Sequence, residues 1–205
     1  MPTLYTMPGT CSLAPNIAIA WTEAPILITN LAYGDHKNDD YLAINPRGKV
    51  PALRFDDGDV LTEAAAILGY IRASFGGDIS VTSGLGRKEA EALSYMTSEV
   101  HADFGPHFAA ARYIDGPEAQ DLFKSNTYDR LTFHFQFLED TLNAAGDWYL
   151  GDRTFADAYL YVLTRWIDQT PLVFDEFTNL KSHRERMQTD PGVQAALARQ
   201  DMQAL

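Results

Sequence analysis

Apolar and polar positions change their rhythm once along this chain. Up to about residue 80 short β-branched runs alternate with helically spaced ones, and from about Leu85 onward only the helical period remains. Leu4-Tyr5-Thr6 reads as a short strand. A helix follows to about Glu23, with Ser12 placed to cap it and Pro15 in its first turn, where a missing N–H does no harm. Ala24-Pro25 ends that helix, and Ile26 to Leu31 is β-branched enough to be the next strand. A polar, irregular stretch from Tyr33 to Arg47 leaves room for one loose helix. Pro51 to Phe55 and Val60 to Thr62 then flank Asp56-Asp57-Gly58-Asp59, which predicts a hairpin. Glu63 to Phe75 carries helical spacing at Ala66, Ile67, Tyr70 and Ile71, and stops at Gly76-Gly77.

The resulting order, β-α-β-α-β-β-α over residues 1–79, predicts a small α/β domain. A short break leads to an all-helical domain over residues 85–205, punctuated at Gly116-Pro117, Gly146-Asp147, Thr170-Pro171 and Asp190-Pro191. Within it, Thr154-Phe155-Ala156-Asp157 has the form of a capping box. It opens Ala158 to Leu163, a helix apolar on nearly every side and therefore bound for a core.

Composition narrows the function classes. A hydrophobic content of 46% over 205 residues is ample for packed cores. Sixteen basic against 28 acidic residues give a formal net charge of −12, which opposes binding to nucleic-acid backbones. No apolar run approaches a membrane span and no secretory pattern opens the chain, so a cytoplasmic setting is expected. His101 and His107 fall on different helical faces, so neither a shared metal site nor any other metal is expected. Glycine-rich phosphate loops and Gly-x-Ser-x-Gly elbows are missing too.

The candidate chemistry lies where strands meet helices. Cys11, the only cysteine, follows the Pro8-Gly9-Thr10 turn at the start of the first helix. Free N–H groups and the positive end of a helix dipole stabilise a thiolate at such a place. An inert buried thiol is the opposing reading. Val50-Pro51 opens a strand, where a cis bond would turn the Val50 backbone toward a ligand and a trans bond would be an ordinary edge proline. Thr62-Glu63-Ala64 sits at another strand-to-helix junction; Thr62 could cap that helix, or its N–H groups could take a ligand carboxylate while Glu63 pairs with an ammonium.

Taken in register, five segments resemble a cytosolic glutathione S-transferase, most closely the bacterial beta class. They are Pro8 to Leu13, Asn45 to Leu53, Leu61 to Leu68, Ser98 to His101, and Thr154 to Asp157. The resemblance implies a thioredoxin-like first domain, a helical second domain, a homodimer, and glutathione as co-substrate. By that analogy Cys11, Ser12 and His101 are catalytic, and Val50, cis-Pro51, Glu63 and Ala64 hold glutathione. Lys37 and Lys49, with His36, are the candidates for its glycyl carboxylate. Phe104, Tyr159 and Trp166 would wall the pocket of a small hydrophobic electrophile. Where many relatives place serine, this chain has Ala64; where the beta class often has lysine, it has Ala102. Transfer of glutathione to an electrophile and monothiol disulfide exchange through Cys11 both fit. A glutathione-dependent etherase, dehalogenase or isomerase on the same fold, and a non-catalytic glutathione-binding or interaction module, are the alternatives.

Overall fold

A computed structural model describes residues 1–203. Four strands form one mixed sheet in the order β2-β1-β3-β4. Strand β1 (Thr3–Thr6) runs parallel to β2 (Leu27–Asn30), and the crossover between them is α1 (Leu13–Thr22). Strand β3 (Ala52–Arg54) lies antiparallel to β1 and to β4 (Val60–Thr62). The hairpin between β3 and β4 turns at Gly58, whose φ of +96° only glycine adopts without strain. The irregular stretch holds a 3-10 turn, Asp35–Lys37, and a short α-helix, α2 (Asp39–Leu42), and β4 leads into α3 (Ala64–Phe75). This is the small α/β domain that the alternation of strand and helix predicts, with the thioredoxin-like fold that the resemblance implies.

The two capping expectations change. Ser12 does precede α1, but its side chain makes no bond to a helix N–H. The N-cap position of α3 belongs to Glu63, and the Thr62 hydroxyl instead accepts a bond from Arg47 Nη2. In both cases a nearby partner outside the helix takes the hydroxyl.

By compactness the chain divides into two units, Met1–Ala90 with Arg186–Leu205, and Glu91–Glu185. In the first, α1 is buried without a break from Leu13 to Ile19 and packs against α3 and α9 (Pro191–Arg199). Asp190 caps α9 by accepting from Gly192 N and Val193 N at 2.8 and 3.0 Å, and its Oδ1 also takes the Trp21 indole N–H at 2.7 Å. A buried fork ties α3 to α4 (Gly84–Tyr95). Arg72 Nε and Nη2 donate to Glu89 at 2.8 and 2.7 Å, and Nη1 donates to the Gly76 carbonyl at 2.9 Å. Two parallel bonds in low dielectric fix angle as well as distance.

In the second unit, α5 (His101–Ala109) and α6 (Pro117–Ala145) pack together, and α7 (Phe155–Ile167) is buried at every residue except Arg165. Its polar anchor is Asp157, which is fully buried. One carboxylate oxygen accepts from Tyr149 N at 2.8 Å and His183 Nε2 at 3.0 Å. The other accepts from Thr154 N at 2.8 Å and the Thr154 hydroxyl at 3.2 Å. The capping box read from Thr154 and Asp157 is thus present. The remaining helix, α8 (Thr178–Thr189), supplies His183.

Candidate functional site

Strand register gathers the candidate residues of the first unit at one edge of the sheet. Tyr5 in β1 is opposite Ala52 in β3, and Ala52 is opposite Thr62 in β4. The end of β1, the start of β3 and the end of β4 therefore meet, and each continues into one candidate segment. Beyond β1 comes the turn bearing Cys11; before β3 stands Val50-Pro51; after β4 comes Glu63. Thr6 also faces Asn30, so the end of β2 delivers the segment carrying His36 and Lys37 to the same side.

Cys11 is 8% exposed, and its thiol donates to the Val50 carbonyl at 3.8 Å. The Val50-Pro51 bond is cis. The loop before it is pinned from inside: buried Asn45 Nδ2 and the Tyr41 hydroxyl both donate to the Lys49 carbonyl at 2.7 Å. Burial pushes the Tyr41 pKa above that of a free phenol, with a smaller opposing effect from Asn45, so the hydroxyl keeps the proton it donates. Ser12 is fully buried, and its hydroxyl serves the turn. It accepts from Met7 N at 3.0 Å and lies 2.7 Å from the Thr10 hydroxyl and 2.9 Å from that of Thr6.

Glu63 departs most from ordinary backbone geometry. Its φ is +70°, a region that costs a non-glycine residue roughly 1–3 kcal/mol. The carboxylate is two-thirds exposed and pairs with Arg47 Nη1 at 2.8 Å. Ala64, the first residue of α3, is buried and brings no side-chain donor. Of the cations, Lys37 Nζ donates to the Gly48 carbonyl at 2.9 Å, whereas Lys49 is exposed.

The second unit collects the other candidates into an aromatic cluster. A five-residue π turn, Met96–Val100, leads directly into His101. His101 Nδ1 lies 2.6 Å from the Tyr159 hydroxyl, and its ring meets Trp166 edge-on at 4.8 Å. Phe104 and Trp166 are 5.4 Å apart. All three apolar candidates are buried, and the wall they would form stands behind Phe108, 47% exposed, which stacks on Phe104 at 5.9 Å and meets Trp166 at 5.5 Å, with His101 half-buried beside them.

Comparison with known proteins is decisive for the family. The family models for the N-terminal and C-terminal domains of glutathione S-transferase match residues 10–74 and 102–200. Glutathione S-transferase GST-4.5 of Xanthomonas campestris pv. campestris is 33% identical over 206 residues, covering 95% of this chain and 96% of its own. The chain belongs to the glutathione S-transferase family. Among solved structures, a glutathione S-transferase from Xylella fastidiosa superposes with a TM-score of 0.90 at 34% identity, covering 98% of this chain and 100% of that one. A sphingomonad glutathione S-transferase complexed with glutathione gives 0.85 at 30% identity, covering 97% and 98%.

Sequence reasoning passed over four members of this transferase's candidate site. Arg47, the partner of Glu63, lies in an irregular segment where spacing carries no information. Phe108 follows Phe104 by four residues on α5, and that interval was the available signal. Thr6 reads only as the end of a strand, and Thr10, close before a helix start, reads as a cap.

Proposed function

We propose that this glutathione S-transferase binds glutathione at the gathered sheet edge of its first unit and readies the sulfur for transfer to an electrophile. The observation that carries the reading is the Cys11 thiol beside the Val50 carbonyl, 3.8 Å away, next to the cis bond. Val50 pairs with the cysteinyl backbone of glutathione by strand addition. Glu63 takes the γ-glutamyl ammonium, the N–H groups opening α3 at Ala64 take its carboxylate, and Lys37 or Lys49 takes the glycyl carboxylate. Cys11, a thiol that already donates, turns its proton toward the glutathione sulfur. Glutathione gives up its own proton, its sulfur forms the new bond to the electrophilic carbon, and the leaving group departs with the bonding pair. Ser12 supports this by shaping the turn. In the second unit, exposed Phe108, backed by the buried rings of Phe104, Tyr159 and Trp166, offers the apolar surface for the electrophile, and His101 carries the proton. The assembly is a cytoplasmic homodimer.

Conjugation of a dinitrohalobenzene tests the role of Cys11. The Cys11→Ala variant should keep its circular dichroism and lose about tenfold or more in kcat/KM, the worth of one hydrogen bond to a charged sulfur. Conjugation at the full wild-type rate removes Cys11 from the mechanism. Intact mass after incubation with oxidised glutathione reports the other route: one glutathione added on Cys11 identifies monothiol exchange.

Ala64→Ser should restore a hydroxyl donor for the γ-glutamyl carboxylate. Isothermal titration is expected to show glutathione binding tighter by about 0.5–1.5 kcal/mol. Unchanged or weaker binding would place the γ-glutamyl end elsewhere.

A further inference from the structure

The chain returns, at its far end, to the turn that bears Cys11. Helix α9 is tied to the first unit along its whole length. Asn16 Nδ2 donates to the Ala196 carbonyl at 3.3 Å, Arg199 Nη1 donates to Asn16 Oδ1 at 3.3 Å, and Asn30 Nδ2 donates to the Arg199 carbonyl. The next residue, Gln200, is 1% exposed, and its Nε2 donates to the Thr6 hydroxyl. Thr6 is the hydroxyl that Ser12 reaches at 2.9 Å, and Ser12 in turn holds Met7 N and adjoins Thr10. A continuous polar chain therefore runs from Gln200 through Thr6 and Ser12 to both sides of Cys11. Two residues further on, Met202 closes a second arm. Its N–H returns to the Leu197 carbonyl at 2.9 Å, and its thioether sulfur accepts from Gly9 N at 3.3 Å.

Packing alone does not account for Gln200. Its Oε1 is buried with no hydrogen-bond partner among the described residues. An amide half-satisfied in a dry interior costs more than an apolar side chain of the same shape. What the glutamine supplies that leucine could not is a donor to Thr6.

We infer that Gln200 and Met202 are positioning residues for the thiol turn: the end of α9 holds Thr6, Ser12 and Gly9 so that Cys11 stays at the head of α1 beside Val50. The inference rests on the proposed role of Cys11 for its meaning in catalysis, but its geometry concerns the thiol alone. A thiolate at a helix start is stabilised only while the N–H groups of the first turn remain aimed at it. Loosening the turn should make Cys11 harder to ionise.

The test reads the pH dependence of Cys11 alkylation by iodoacetamide in protein free of glutathione, beside thermal unfolding of the same variants. Gln200→Ala and Thr6→Val should each move the alkylation profile upward by about half a unit to one unit, the equivalent of one net hydrogen bond. Met202→Leu, which keeps the volume and loses the acceptor, should move it in the same direction by less. Thr6→Ser keeps the hydroxyl and should restore the wild-type profile. Val193→Ala, a cavity in buried α9 away from the polar chain, should lower the melting temperature and leave the profile in place. The inference is overturned if Gln200→Ala and Thr6→Val melt early with an unshifted profile, as Val193→Ala does. A shifted profile together with full conjugation by Cys11→Ala would uphold the positioning role and sink the catalytic one.

Discussion

Replacing Asp157 by alanine is expected to remove about 3–5 kcal/mol of stability, a fifth or more of the roughly 5–15 kcal/mol that holds a typical domain folded. The carboxylate is fully buried and takes four hydrogen bonds, two from the backbone N–H groups of Tyr149 and Thr154. Alanine would leave those donors and His183 Nε2 in a dry interior, each unsatisfied group costing about 1–3 kcal/mol. The loss exceeds that of an ordinary helix cap, about 0.5–2 kcal/mol, because the same oxygens also bind a loop and a second helix. Asp157→Asn keeps one acceptor oxygen and should fall between the two. Urea unfolding followed by circular dichroism measures all three proteins. A loss under about 1 kcal/mol for the alanine variant would mean that water or a rearranged loop takes over the donors. Tyr159 and Trp166 ride on the helix that Asp157 caps, so the aromatic cluster should loosen with it.

Glu63 should show stability and binding moving in opposite directions. Glu63→Ala keeps a Cβ at the strained backbone position and removes only the carboxylate. KM for glutathione is then expected to rise about 10- to 100-fold with kcat little changed, as loss of a charged hydrogen bond of about 1.5–3 kcal/mol requires. Glu63→Gly loses the same carboxylate but accommodates the φ of +70° without cost, so it should be the more stable variant by about 1 kcal/mol and bind no better. Removing Arg47 is the milder change, because an ion pair with both partners more than half exposed contributes about 0–1 kcal/mol. Equal KM values for the wild type and Glu63→Ala would refute the assignment of Glu63 to the ligand.

What the sequence displays, and what it conceals, follows from the range of the forces involved. Strands such as Leu27–Asn30, the Gly58 hairpin and helix α3 are specified by neighbours a few residues apart, and they stand close to where pattern predicts them. The Thr154–Asp157 box is local in the same way. The return of α9 to α1 joins residues 180 positions apart, as Asn16 and Ala196 show, and leaves no periodic trace. Ser12 was legible as a residue at a helix start and misleading as a cap. Its hydroxyl found Thr6 and Met7, which only the folded turn brings near. Arg47 reaches Glu63 across an irregular loop, and charge in a loop fits any partner. Cys11 itself was legible because a lone thiol before a helix has few roles. Its distance to Val50 depends on the pairing of β1 with β3, which composition does not encode.

The Arg72–Glu89 fork bears on how the chain would respond to a protease. Residues 76–83, between α3 and α4, include an exposed Val81 and glycine at both 76 and 77, the kind of segment that fits an enzyme's cleft. The fork closes across that segment from one helix to the other, with both side chains nearly sealed from water. A cut there would break the polypeptide without breaking this clamp. The nicked chain would travel as one body until denaturant opened the pair and the packing of α9 on α1.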